Sequence, residues 1–301
     1  MTIKIVDSHF HFYDRKINNH PFLANYDEKL ALLWGKNYHH RLGESYLPAD
    51  YLQDMQGFEI EHLVMAELVS TDPLKEMQFA QELARQTNYP SAAIANISLL
   101  DKNLAKRLDE YLEIPIVRAV RDHLLWDPNN PQHCYTERGD TLKEPMVEES
   151  FTILKDYPYS FEFEIYSQEI PLVRHYAEKF PTINFALHCL GWPIDQSPSG
   201  FEKWKKEVQD LSQCPNVFVK ITAIECIFGL QWSLEQITPW IKATIERFGA
   251  SRCMFGSHLP ISKLSKGVSA LYEAYLAIVA DLSIQEQQDL FANSAKRFYR
   301  V

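Results

Sequence analysis

The 301-residue chain has no uninterrupted apolar run near the roughly 18 residues that a bilayer-spanning helix requires, so no transmembrane segment is expected. It has no basic excess either. Its 40 acidic side chains against 30 basic ones leave a formal charge of −10, which argues against a nucleic-acid partner, whose footprint is electropositive. The five cysteines (Cys134, Cys189, Cys214, Cys226 and Cys253) are odd in number and include no C-x-x-C pair. They fit free thiols in a reducing compartment, not a disulfide frame or a zinc knuckle. The opening MTIKIVDSHFHFYD puts Asp7, His9 and His11 where a secretory leader would need its apolar core, so a cytoplasmic location is expected. There is no low-complexity tract and no short-period repeat. With 46% apolar and 23% charged residues, the composition is that of a folded globule.

What is present is an alternation of short β-rich runs and longer amphipathic stretches. The runs fall at 3–6, 62–66, 92–97, 116–120, 160–165, 183–187, 217–221 and 252–255. After a long first connection their spacing is about 25 to 45 residues, enough for a crossover helix each time. Eight such units predict an α/β fold of the (β/α)8 barrel type, in one domain over 1–301. Helical periodicity marks 73–86, 170–180, 201–211 and 234–248. The closing helix is expected at 283–300, where Ser283 and Glu286 have capping-box spacing. The first connection, 14–57, is crowded with Tyr26, Trp34, Tyr38, Tyr46 and Tyr51, and should contain a helix near 49–55. That segment and the polar, proline-bearing 122–144 both follow strand ends, the face on which such barrels carry their active sites.

The strongest local signal is Asp7-Ser-His9-Phe-His11. Residues two apart on a strand share a side, so His9 and His11 project together, either toward a divalent metal or as a buried pair held by backbone hydrogen bonds. VDSHFHFYD resembles the opening H-x-H strand of the amidohydrolase superfamily, in the branch of TIM-barrel hydrolases that includes sugar lactonases and 2-pyrone-4,6-dicarboxylate lactonase. The likeness continues through ESYLPADYLQDM, VRAVRDHLLWDP, SFEFEIY, FALHCLGWP, PNVFVKITAI, RCMFGSHLPIS and LFANSAKRFYRV. It is weakest in the two long connections.

What the resemblance implies differs by position. His9 and His11 match the first-strand metal pair. At the end of the sixth strand an ungapped match puts Cys189 where the branch has a histidine, and His188 stands one residue earlier. A one-residue shift flips a side chain across a strand, so a catalytic role for His188 requires the chain to turn there. In the eighth strand the superfamily's G-S-D-x-P becomes Gly256-Ser257-His258-Leu259-Pro260. The lost aspartate is the usual general base and often a metal ligand, and no carboxylate replaces it locally. His258 offers either function, or only a hydrogen bond in a polar mouth. Glu162 and Glu164 share a face of the fifth strand, and Glu164 lies near the end where the superfamily often has a metal-ligating histidine. That pair is either functional or ion-paired.

Arg118, Arg121 and Lys220 form a cationic set suited to binding a carboxylated substrate, or else Arg118 or Arg121 pairs with Glu67 or with Glu162. Tyr166 and Trp192 either wall the pocket or pack. The expected function is a hydrolase opening a lactone or related cyclic ester of a small acidic or sugar-derived substrate, with His258, His188 and Glu164 as catalytic candidates. A zinc or manganese ion at His9 and His11 would be weakly held or absent. Non-oxidative decarboxylation of an aromatic acid is the enzymatic alternative. A barrel that has lost catalysis and binds a small acid or a protein is the other. A small molecule is expected as partner, and neither nucleic acid nor membrane.

Overall fold

The computed structural model describes residues 3–130 and 133–301. Eight parallel strands follow one another in sequence order around a (β/α)8 barrel: β1 Lys4–Phe10, β2 Glu59–Ala66, β3 Ala92–Asn96, β4 Val117–His123, β5 Ser160–Glu164, β6 Phe185–Leu187, β7 Val217–Ile221 and β8 Cys253–Phe255. The ring is drawn together just past β8, where the His258 N–H donates to the His9 carbonyl at 2.8 Å and the His11 N–H to the Leu259 carbonyl at 2.7 Å. No helix among the described residues is long and apolar enough to cross a membrane. All five cysteines are free.

Inside the barrel the lower layers are small and aliphatic, with Val6, Val64, Ala92, Ile94, Ala119 and Met254 buried together. Phe298 and Tyr299 of the last helix close that end. The closing helix begins at the Ser283–Glu286 capping box as expected, but it is interrupted by a π-helical stretch, Asp289–Asn293. The helices expected on periodicity are found at Pro73–Thr87, Ile170–Lys179, Pro198–Leu211 and Leu234–Phe248.

The first connection folds as four short helices (Pro21–Ala24, Glu28–Trp34, Tyr38–Leu42 and Pro48–Asp54) and lies across the C-terminal mouth. Its aromatics anchor it. The Tyr51 hydroxyl donates to Asp7 at 2.8 Å and the Tyr46 hydroxyl to Asp54 at 2.7 Å. The second connection contributes Leu125 and Tyr135 to the same mouth, and its positions 131 and 132 lie outside the described residues.

Halfway along the axis a charged layer crosses the core. Lys220 of β7 donates to Glu162 of β5 at 2.7 Å, and the Tyr299 hydroxyl donates to the same carboxylate at 2.5 Å. Burial would raise the Glu162 carboxyl, but the Lys220 ammonium and His188 outweigh it and hold the group down at about 2. Removing one partner of a buried ion pair leaves an uncompensated charge. Lys220→Met should therefore lower unfolding stability by about 3–5 kcal/mol. The double variant with Glu162→Leu should lose less than the single one, as read from denaturant midpoints.

Candidate active site

Four imidazoles converge above this layer. His9 ends β1, His11 follows it, His188 follows β6 and His258 follows β8. The His9 ring centroid lies 4.9 Å from that of His11, 4.6 Å from His188 and 5.1 Å from His258, and His11 lies 5.4 Å from His258. His188 reaches the cavity because the chain turns directly after it. Cys189, Leu190 and Trp192 all adopt positive φ, and His188 and Cys189 both line the pocket. The one-residue offset at the sixth strand is thereby absorbed.

The free ring nitrogens of this set fit a divalent cation. His11 Nδ1 lies 3.0 Å from the Ala66 carbonyl, which makes it the N–H donor and leaves Nε2 as the lone-pair atom. His9 Nδ1 is buried without a hydrogen-bond partner. Potential ligand atoms of His9, His11 and His258 all lie within 4.8 Å of one another. Burial, reinforced by Lys220 at His9 and by His258 at His11, pushes these two imidazoles well below their ordinary range. Both are consequently neutral, the ligating form.

The carboxylate expected to be missing near β8 is supplied by another strand end. Glu225, 1% exposed, sits on the short helix Ile224–Phe228 after β7, and its Oε1 is 2.5 Å from His258 Nδ1. No carboxylate stands locally in the eighth-strand segment, as expected, and the one beside His258 comes from 33 residues earlier in the chain. The helix starts from Ala223 in a left-handed conformation, which turns the chain back across the mouth.

A second charged cluster completes the floor beside the histidines. Arg121 donates from Nε to Glu67 Oε1 at 2.6 Å and from Nη2 to the Glu67 carbonyl at 2.8 Å. His123, unforeseen from sequence, has Nε2 2.6 Å from Glu67 and Nδ1 2.7 Å from Glu164. Burial alone would lower the His123 imidazole, but Glu164 and Glu67 together raise it to about 10. Glu164 resists its own burial in turn: His123 and Arg121 hold its carboxyl well below the ordinary carboxylate range. Glu164 thus lines the cavity as expected, but as a paired carboxylate. Arg121 lines it too, already engaged by Glu67.

Three expected substrate contacts are placed elsewhere. Arg118 has the opposite strand parity to the inward Ala119 and Arg121, and it lies toward the closed end, where its carbonyl accepts from Arg300 at 2.8 Å. Lys220 points inward but one layer too deep. Tyr166 lines an adjoining cavity beyond Trp192, its ring 5.8 Å from the indole, while Trp192 borders both spaces. One cavity at the mouth, about 240 Å³, is lined by His9, His11, Glu164, His188 and His258 together.

Residues 6–301 match the profile of the amidohydrolase family. The chain is 26% identical to the uncharacterised protein y4mH of Sinorhizobium fredii over 301 residues, 99% of each chain. It is 22% identical to an L-fucono-1,5-lactonase of Burkholderia ambifaria over 233 residues, 75% of this chain and 76% of the other. A crystal structure of an amidohydrolase from Burkholderia multivorans with bound HEPES superposes with a TM-score of 0.80 at 19% identity, over 99% of both chains. A second crystal form with bound zinc gives 0.79. At that identity the structural likeness establishes the fold.

Two predictions arise from this geometry. A Cβ on Gly256 would lie 2.8 Å from His9 Cβ and 3.0 Å from Thr222 Oγ1. Gly256→Ala should cost about 1–3 kcal/mol in denaturant unfolding and weaken zinc binding in calorimetric titration. The second concerns His123, whose folded value of about 10 lies above an ordinary unfolded value near 6.5. Its stabilisation is full below about pH 6.5 and is lost as pH rises through about 10. The decline in unfolding stability over that window should flatten in His123→Asn.

Proposed function

Because this chain belongs to the amidohydrolase family, we propose that it is a hydrolase that opens a lactone or a related cyclic ester with water activated at the histidine cluster. The observation that carries the reading is the convergence of His9, His11, His188 and His258 in one cavity with Glu225 behind His258. His9 and His11 would hold a divalent metal, and His258 is near enough to be a third ligand. Such an ion supplies Lewis acidity to a carbonyl oxygen and acidity to water.

We assign the base to His258. Glu225 fixes its Nδ1 side, so Nε2 is the atom left to accept a proton. In the reaction, the water oxygen bonds to the acyl carbon as its proton passes to Nε2 of His258. The acyl–oxygen bond then breaks, and that proton returns to the departing ring oxygen. The product is a hydroxy acid that releases one proton to solvent. Burial holds His188 down at about 4, outweighing the opposing pull of Glu162, so this imidazole stays neutral and shapes the floor without competing for the proton. Decarboxylation of an aromatic acid gains no support from the side chains of the described cavity, because Arg121 is already paired with Glu67 and is not free for a substrate carboxylate.

His258→Asn should lower turnover on an accepted lactone by roughly 10² to 10⁴ while zinc affinity is largely retained. A parallel loss of zinc affinity would make His258 a ligand instead. Glu225→Gln, which keeps the shape but removes the charge behind the imidazole, should cost about 10 to 10² in kcat. Full activity in both variants would remove this pair from the reaction.

A further inference from the structure

The proposed reaction specifies the bond that breaks but not what the ring carries. The cavity has two distinct zones. Its floor holds the histidines with Arg121, His123 and Glu164, whereas the wall above is built from Phe22, Leu30, Leu33 and Trp34 of the first connection together with Leu68 and Leu125. Among the described wall residues, hydrogen-bonding side-chain atoms are confined to the Tyr135 hydroxyl, two indoles and the weak thiols of Cys189 and Cys226. One indole is already used: Trp34 Nε1 donates to Cys226 Sγ at 3.2 Å. No amide, ammonium, carboxylate, serine or threonine side chain reaches the described wall.

A ring bearing several hydroxyls would leave most of them against hydrocarbon, stripped of water and without partners. A carboxylated ring meets a different obstacle. Arg121 and His123 are both matched by Glu67 and Glu164, and Lys220 is held a layer below by Glu162. With the metal taken up by the lactone carbonyl and the water, a carboxylate on the substituent would have to displace one of these buried carboxylates, which leaves it uncompensated. We propose that the substrate is a neutral lactone with a hydrocarbon substituent, alkyl or aryl, in place of a sugar lactone or a pyrone dicarboxylate. The ring chemistry rests on the lactone reading above, whereas the nature of the substituent rests on the wall alone.

The test uses the complete chain, supplied with zinc or manganese, and reads acid release from δ-valerolactone, δ-decalactone, D-glucono-1,5-lactone and 2-pyrone-4,6-dicarboxylate. From δ-valerolactone to δ-decalactone kcat/KM should rise by up to about fourfold per buried methylene. It should exceed that for gluconolactone and for the dicarboxylate by about 10² or more. Leu33→Gln should reduce this preference by about tenfold or more. A binding arm separates the two claims: calorimetry with 6-pentylpiperidin-2-one and with the polyhydroxylated gluconolactam, neither of which carries the ester. Tight binding of the pentyl lactam with no lactone opened would reject the lactone reading and keep the substituent assignment. Preference for gluconolactone or the dicarboxylate would overturn the assignment and keep the reading. If neither lactam binds, or both bind equally, the assignment is likewise overturned.

Discussion

The joint between β1 and β8 determines the geometry of the site, because three of its four histidines ride on those two strand ends. His258 N–H to the His9 carbonyl and His11 N–H to the Leu259 carbonyl draw the ends together, and Asp7 completes the joint by accepting the Ser257 N–H at 2.8 Å. Such proximity excludes a side chain at Gly256, which faces His9 directly. His258 itself adopts a left-handed conformation, with φ 55°, as the chain bends back over the mouth. Closing the barrel and aiming the imidazoles are therefore one event: a change that loosens the joint moves His9, His11 and His258 together.

Around that joint, buried charge is arranged in matched sets. Lys220 with Glu162 spans the mid-barrel, Arg121 and His123 stand between Glu67 and Glu164 on the floor, and Glu225 backs His258. Isolated, any of these groups would be too costly to keep charged away from water. Paired, they give the floor fixed dipoles and little spare charge of either sign. Among the side chains of the described floor, Arg121 and His123 are thus already matched by carboxylates.

The barrel was legible from the spacing of its β-rich runs, and the four histidines from H-x-H, FALHCLGWP and the G-S-H-x-P segment. These signals are local, carried by parity and by residues close in sequence. The charged partners were less legible for two physical reasons. The β-rich run ends at position 120, whereas pairing of Arg121 and His123 with Glu67 and Glu164 accompanies a strand that continues to His123. Depth was the other difficulty. Parity tells inside from outside, which separates Arg121 from Arg118, but it does not tell the mouth from the layer below, where Lys220 lies.

Glu225 shows how a barrel can move a chemical group between elements. It stands 33 residues before its partner in an apolar segment, IECIF, so no local motif connects it with His258. Yet strands β7 and β8 are neighbours in the ring, and the loops after them meet at the same mouth. An aspartate on β8 would place its charge directly in the cavity. A histidine there, backed by a glutamate from the adjacent loop, turns an imidazole edge toward the cavity with the carboxylate behind it. That arrangement keeps an imidazole at the same end of the same strand and sets the carboxylate back from the cavity surface. It is compatible with the apolar wall above, because a neutral ring entering the mouth encounters hydrocarbon first and carboxylates only where cations already answer them.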